Sequence, residues 1–255
     1  MFGSTVYRAE EFFSGRQLEI ARAINANDMA LVRKLAPGTD LSAPGQKGMT
    51  LMWFAMQPGR PNFEAVKTLV ALGVDPDTQI AKGIGSALDA TMLPRKDPND
   101  RTGIRFLEAM LDGGLSPNYK TKYQTPLLQR AAGPGGTMAA VQLLVERGAD
   151  INASNNIGRT ALTDAITSLA PDIALYLVNR GADINTYTTG GVTVGWTVAG
   201  PLERLAPGPM RTQYEQLRDL MIKKGMKWPP DPPEVVRDRM RAQGLTPAVP
   251  PGHKR

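Results

Sequence analysis

Gly148-Ala149-Asp150-Ile151-Asn152, reached through Val141-Gln142-Leu143-Leu144-Val145, returns 33 residues later as Gly181-Ala182-Asp183-Ile184-Asn185, reached through Ala174-Leu175-Tyr176-Leu177-Val178. A period of that length marks one supersecondary unit whose apolar face cannot be buried alone, so neighbouring copies must stack. A stacked array presents an extended surface, and a binding role is the first expectation.

Between the two copies, Gly158-Arg159-Thr160-Ala161-Leu162-Thr163-Asp164-Ala165 supplies a polar turn followed by the start of an amphipathic helix. The unit therefore reads turn, helix, short loop, helix, glycine stop. Thr160 has a hydroxyl that can cap the helix, and Gly181 can take the left-handed conformation that ends one. This order resembles the ankyrin repeat. The family's helix opening, Thr-Pro-Leu, stands verbatim as Thr125-Pro126-Leu127, with drifted versions at Thr50-Leu51-Met52, Ser86-Ala87-Leu88 and Thr160-Ala161-Leu162. These openings lie 36, 39 and 35 residues apart. The closing signature drifts in parallel, through Gly73-Val74-Asp75-Pro76-Asp77 and Gly114-Leu115-Ser116-Pro117-Asn118.

Upstream, 18–24 and 27–35 read as the helices of an opening unit; downstream, 214–221 ending at Gly225 reads as a closing one. The expected fold is all-α, an ankyrin-repeat solenoid of about six helix-turn-helix units with degenerate caps. The array is expected over 1–228, and 229–255 is expected to be a proline-rich connector, a short helix and a mobile basic tail. Three stretches break the rhythm: the charged loop 92–101, the glycine-rich turn 132–137, and 187–208, where Pro201, Pro207 and Pro209 interrupt helix formation and an extended hairpin is possible. The turn 132–137 lacks the Gly-Lys-Ser/Thr ending of a phosphate-binding loop.

Composition narrows the function. The 255 residues are 42% hydrophobic, and no window holds the roughly 20 apolar residues that cross a bilayer, so a membrane-spanning role is not expected. Cysteine is absent, which removes disulfides and thiolate chemistry but leaves the compartment open. The net charge of +6 is concentrated at the end: 1–202 carries 19 basic and 18 acidic residues, and 203–255 carries 11 and 6. Arg237, Arg239 and Arg241 alternate with Asp238 in a pattern expected of a solvated helix face. These basic residues lack the interleaved aromatics typical of base stacking, and no nucleic-acid partner is expected.

The single histidine, His253, sits at the proline-rich end, so neither a Ser-His-Asp arrangement nor a histidine metal site is expected. Asp75, Asp77, Asp150 and Asp183 recur at repeat turns, where carboxylates satisfy backbone donors. No enzyme activity, cofactor or metal is expected. The start of the sequence shows no basic leader or apolar run, so an export signal would have to precede Met1.

The resemblance to ankyrin repeats implies a protein partner held by turn tips and by the exposed side of each first helix. Matched position by position, that surface comprises Lys82 before Ser86; Lys120, Lys122 and Tyr123 before Thr125; Asn155, Asn156 and Arg159 before Thr160; and Tyr187 and Thr188 on the following tip. Trp53 stands where the family carries a histidine. Trp196 joins Trp53, Tyr123 and Tyr187 as an aromatic anchor, because such side chains give large contact area at low entropic cost. The two tryptophans can equally serve as fillers between units.

Drifted units, a long interhelix loop and an irregular end make the chain similar to bacterial ankyrin proteins, and within these to the immunity proteins of type VI secretion effectors, particularly phospholipase D-type toxins. That resemblance implies a periplasmic inhibitor, monomeric until it meets a cognate toxin, acting by occlusion. The alternatives are a cytoplasmic scaffold or regulator of an endogenous protein, and a secreted effector acting on host proteins.

Overall fold

The structure, a computed structural model, describes residues 6–78, 85–94, 96–97 and 99–249. The chain folds as two compact units, Met1–Ser116 and Pro117–Arg255. The first contains α1 (Gly15–Asn25), α2 (Met29–Leu35), α3 (Leu51–Ala55), α4 (Phe63–Ala71), α5 (Ala87–Met92) and α6 (Thr102–Asp112). The second contains α7 (Leu127–Ala132), α8 (Met138–Glu146), α9 (Ala161–Thr167), α10 (Pro171–Asn179), α11 (Val194–Arg204), α12 (Pro209–Lys223) and α13 (Pro233–Ala242).

Within each unit the helices form two rows. Opening helices pack on one another, α1 on α3 and α7 on α9 on α11; closing helices do the same, α2 on α4 on α6 and α8 on α10 on α12. Helices this short are marginal in isolation, so the shared core must hold them. In the second unit that core is Leu127, Leu128, Val141, Leu144, Ile166, Leu177, Val198 and Leu217, with Ala131, Ala165 and Ala174 keeping the backbones close. In the first it is built on Ile20, Ile24, Leu51, Phe54, Leu69, Phe106 and Met110. Among the described residues, extended pairing is confined to isolated bridges, and the all-α ankyrin-repeat class expected from the spacing is the fold observed.

Seven of the helix starts have a local side-chain cause. Asp28, Thr50, Asn62, Ser86, Thr137, Thr160 and Thr193 all accept, through a side-chain oxygen, the backbone N–H three residues on. Each such cap is worth about 1 kcal/mol. The helix stops are equally local: at Gly181, φ is +93°, and Ala182 N–H turns back to donate to the Leu177 carbonyl at 3.0 Å.

The verbatim Thr125-Pro126-Leu127 is displaced by one residue from the structural register. The tip bridges pair Lys120 with Pro126, Ser154 with Thr160 and Tyr187 with Thr193, so Pro126 occupies the place of the capping threonines. α7 starts without a side-chain cap as a result.

Two further expectations change. The stretch 187–208 opens as a normal turn tip capped by Thr193, and α11 runs through Pro201 to Arg204, with Leu205 N–H donating to the Pro201 carbonyl at 2.8 Å. Proline lacks one donor but still accepts, so the helix survives it. The compact units divide at Ser116 and Pro117 rather than at Trp228, and 229–249 pack within the second unit. Val236 and Met240 of α13 are buried, and Ala248 N–H donates to the Thr189 carbonyl at 2.8 Å. Arg237 is on the inward side of α13 instead of on a solvated face, 6% exposed, donating to the Gly190 carbonyl at 3.0 Å.

Candidate partner-binding site

The recurrent Gly-x-Asp-x-Asn builds and aligns the turns. Asp150 and Asp183 accept from the backbone N–H two residues on, Asn152 and Asn185, at 2.9 and 2.8 Å, closing their own turns. The asparagine then reaches the next repeat: the Asn118 carboxamide oxygen accepts from Asp150 N–H at 2.7 Å, and that of Asn152 accepts from Asp183 N–H at 2.8 Å. The periodic carboxylates are thus committed to backbone donors.

Three tips follow one another in the second unit, each closed by a short backbone bond: Thr121 to Thr125 at 3.0 Å, Asn155 to Arg159 at 3.0 Å, and Thr188 to Val192 at 2.9 Å. Neighbouring tips are tied together. Lys120 Nζ donates to the Ser154 carbonyl at 3.4 Å, and Thr189 N–H donates to the Ile157 carbonyl at 3.0 Å. Such ties fix the backbone of the tips, which leaves the turns less conformational freedom to lose on binding.

Several of the expected contact residues also build the turns. The Asn155 carboxamide oxygen accepts from Ile157 and Arg159 N–H, and the Thr188 hydroxyl accepts from Val192 N–H, so both shape their turns. Arg159 donates to Asp164 at 2.6 Å and to Thr167 at 2.7 Å, and Gln129 donates to the other oxygen of Asp164 at 2.8 Å. That network braces α7, α9 and the tip. Lys120 is spent on the tie already described. Lys82 lies outside the described residues.

Exposed and uncommitted are Lys122 and Tyr123, whose ammonium sits 5.1 Å from the ring centroid, together with Asn156 and Tyr187. Tyr123 is 68% exposed. The structure adds Ile157, 47% exposed at the position equivalent to Tyr123 one tip earlier. Its signal in the sequence is an isoleucine between Asn156 and Gly158 at a turn apex, where an apolar residue has no core to enter.

Trp53 and Trp196 occupy the same place, three residues after the capping threonines Thr50 and Thr193. Asp89 and Thr163 stand there in other repeats and close capping boxes. Trp53 is half-buried, with Nε1 buried and without a hydrogen-bond partner among the described residues, which marks it as a packing residue of the first unit. Trp196 is 41% exposed on α11. Among the described residues no group of three or more His, Cys, Asp or Glu is placed to hold a metal ion, and no helix is long and apolar enough to cross a membrane.

With that geometry in place, the comparisons bear on the fold. Residues 101–188 match the family model of ankyrin repeats in three copies. No curated protein matches the sequence. Among solved structures, an ankyrin repeat domain from Acinetobacter baumannii AYE is 22% identical, with 82% of this chain and 98% of that chain covered and a TM-score of 0.55. The ankyrin repeat domain of Bcl-3, of the IkappaB protein family, is 20% identical over 86% of this chain and 92% of that one, with a TM-score of 0.57. A chain from the complex of the Bdellovibrio bacteriovorus predatory endopeptidase Bd0816 with immunity protein Bd3460 is 21% identical, covering 78% and 97%, with a TM-score of 0.48. Identities of this size describe the fold alone. The chain has the ankyrin-repeat fold, and 101–188 carry three repeats that match that family.

Proposed function

We propose that the chain is an immunity protein that neutralises an antibacterial toxin of the phospholipase D type by covering its active site or its approach to the membrane, and that it acts in the periplasm. The observation that supports this best is the set of uncommitted side chains on the tied tips: Lys122 and Tyr123, Asn156 and Ile157, and Tyr187. Occlusion needs a pre-shaped surface and no chemistry of its own, and the turn bonds supply the shape. The step from binding module to toxin inhibitor rests on the resemblance of the sequence to bacterial ankyrin immunity proteins.

The experiment is a tagged pull-down from the source cell with envelope and cytoplasmic fractions kept apart, followed by titration of any hydrolase recovered. One envelope phospholipase, inhibited at equal molarity with a nanomolar or lower dissociation constant, about 12 kcal/mol, is the expected outcome. A Tyr123→Ala, Ile157→Ala double variant should then bind at least about tenfold more weakly, since apical aromatic anchors carry much of an interface. Recovery of cytoplasmic partners alone, with no hydrolase inhibited, refutes the proposal and leaves a scaffold.

A further inference from the structure

The asparagine ladder stops at Asn185. Asn118 ties to Asp150 and Asn152 ties to Asp183, but the chain after Gly225 runs Met226-Lys227-Trp228 in place of the repeating signature. The Asn185 carboxamide finds no partner among the described residues. Where the next turn would have docked, a cavity of about 320 Å³ opens between the last tip, the 226–231 segment and α13.

Its floor is apolar: Ile184, Met226, Val236 and Met240, each buried. Its rim is cationic. Lys227 and Arg239 both donate to the one carboxylate of Asp231, Arg239 at 2.5 Å. Two cations share a single anion, and both remain mostly exposed, with side chains 70% and 57% accessible. The pair of donors holds the Asp231 carboxyl below the usual carboxylate range. Tyr187 and Thr193 of the last tip form the near wall, so the cavity adjoins the row of tip residues.

We propose that this cavity receives an apolar side chain next to a carboxylate, a Leu-Asp type of pair presented by the protein partner. The apolar group lies on the two methionines and Val236, and the carboxylate takes the unmatched positive charge of Lys227 and Arg239, with the Asn185 amide as an additional donor. The volume sits at the lower end of the ~300–1,000 Å³ range of small-molecule pockets, a fit for one residue-sized group. Thioethers adapt their shape to an incoming side chain, which suits an anchor site. This rests on the partner-binding reading and gives that partner a chemistry.

The test needs no toxin. The full chain, labelled with nitrogen-15, is titrated with the N-acetylated, C-amidated tetrapeptide Gly-Leu-Asp-Gly and with Gly-Leu-Asn-Gly and Gly-Ala-Asp-Gly. Saturable amide shifts confined to 184–195, 226–231 and 236–243 are expected for the first peptide, with affinity about fivefold higher than for either control, the scale of one partly exposed ion pair or one buried side chain. Arg239→Gln, at an exposed position, should keep the fold and erase the preference for Asp over Asn. Equal affinity for the three peptides, or no saturable shift in those segments, overturns the proposal. A chain that titrates as expected but inhibits no hydrolase refutes only the immunity reading; one that inhibits a hydrolase but shows no shift refutes only the pocket.

Discussion

Tyr214→Phe tests how the second unit is held together. Tyr214 is completely buried on α12, and its hydroxyl donates to the Ile166 carbonyl at 2.6 Å. That carbonyl belongs to the last turn of α9, where helical acceptors run out, and its other donor, Leu169 N–H, lies at 3.3 Å. Removing the hydroxyl should cost about 1 kcal/mol at pH 8, the net worth of one buried hydrogen bond.

Burial also pushes the Tyr214 phenol up to about 12 from its ordinary value of 10.0. The folded state therefore keeps its proton over a range where the unfolded chain has lost it. The stability this contributes is complete below pH 10 and is lost as the pH rises toward 12. At pH 11 the loss amounts to about 1.4 kcal/mol, one pK unit of difference in proton binding. Phenylalanine cannot titrate, so the variant should lose about 1.4 kcal/mol less than the parent between pH 8 and pH 11, and the two proteins should become equally stable near the upper value. Urea unfolding followed by the fluorescence of Trp196 and Trp228, both in this unit, reads the difference. An identical pH-dependent loss in parent and variant would show that the phenol does not titrate into a buried, desolvated site, and the packing of α12 on α9 would need another account.

Two other changes follow from backbone geometry. A Cβ on Gly191, where φ is +78°, would lie 2.6 Å from the Pro233 carbonyl and 2.9 Å from Arg237 Cγ, so Gly191→Ala should prise α13 from the last tip at a cost of about 1–3 kcal/mol; faster amide exchange over 233–248, with α7 to α10 unaffected, is the expected reading. Gln124 holds φ at +60° at the apex position that Gly158 and Gly191 fill on the following tips, so Gln124→Gly should raise stability by about 0.5–1 kcal/mol in a denaturant titration, and a loss of that size would contradict the assigned turn.

Much of the fold was legible because its causes are local. Gly-x-Asp-x-Asn closes its own turn within two residues, Thr160 caps its own helix within three, and the 33-residue interval repeats both. The candidate site was legible as positions and not as local roles. Polar groups on a turn tip are alike by type, and only the hydrogen bonds show that Asn155, Thr188 and Arg159 also build or brace the turns. Trp53 and Trp196 share a position but differ in burial, which depends on what packs over them.

The sequence alone determined the repeat unit, its two helices and its turn, because those rest on interactions spanning a few residues. Tertiary structure decided the register of Pro126, the burial of Arg237 between α13 and the last tip, and the cavity that opens where Asn185 lacks a successor. Each of these depends on groups brought together from distant parts of the chain, such as Gly190 with Arg237 and Asn185 with Met240, whose free energy of contact appears only once the repeats have stacked.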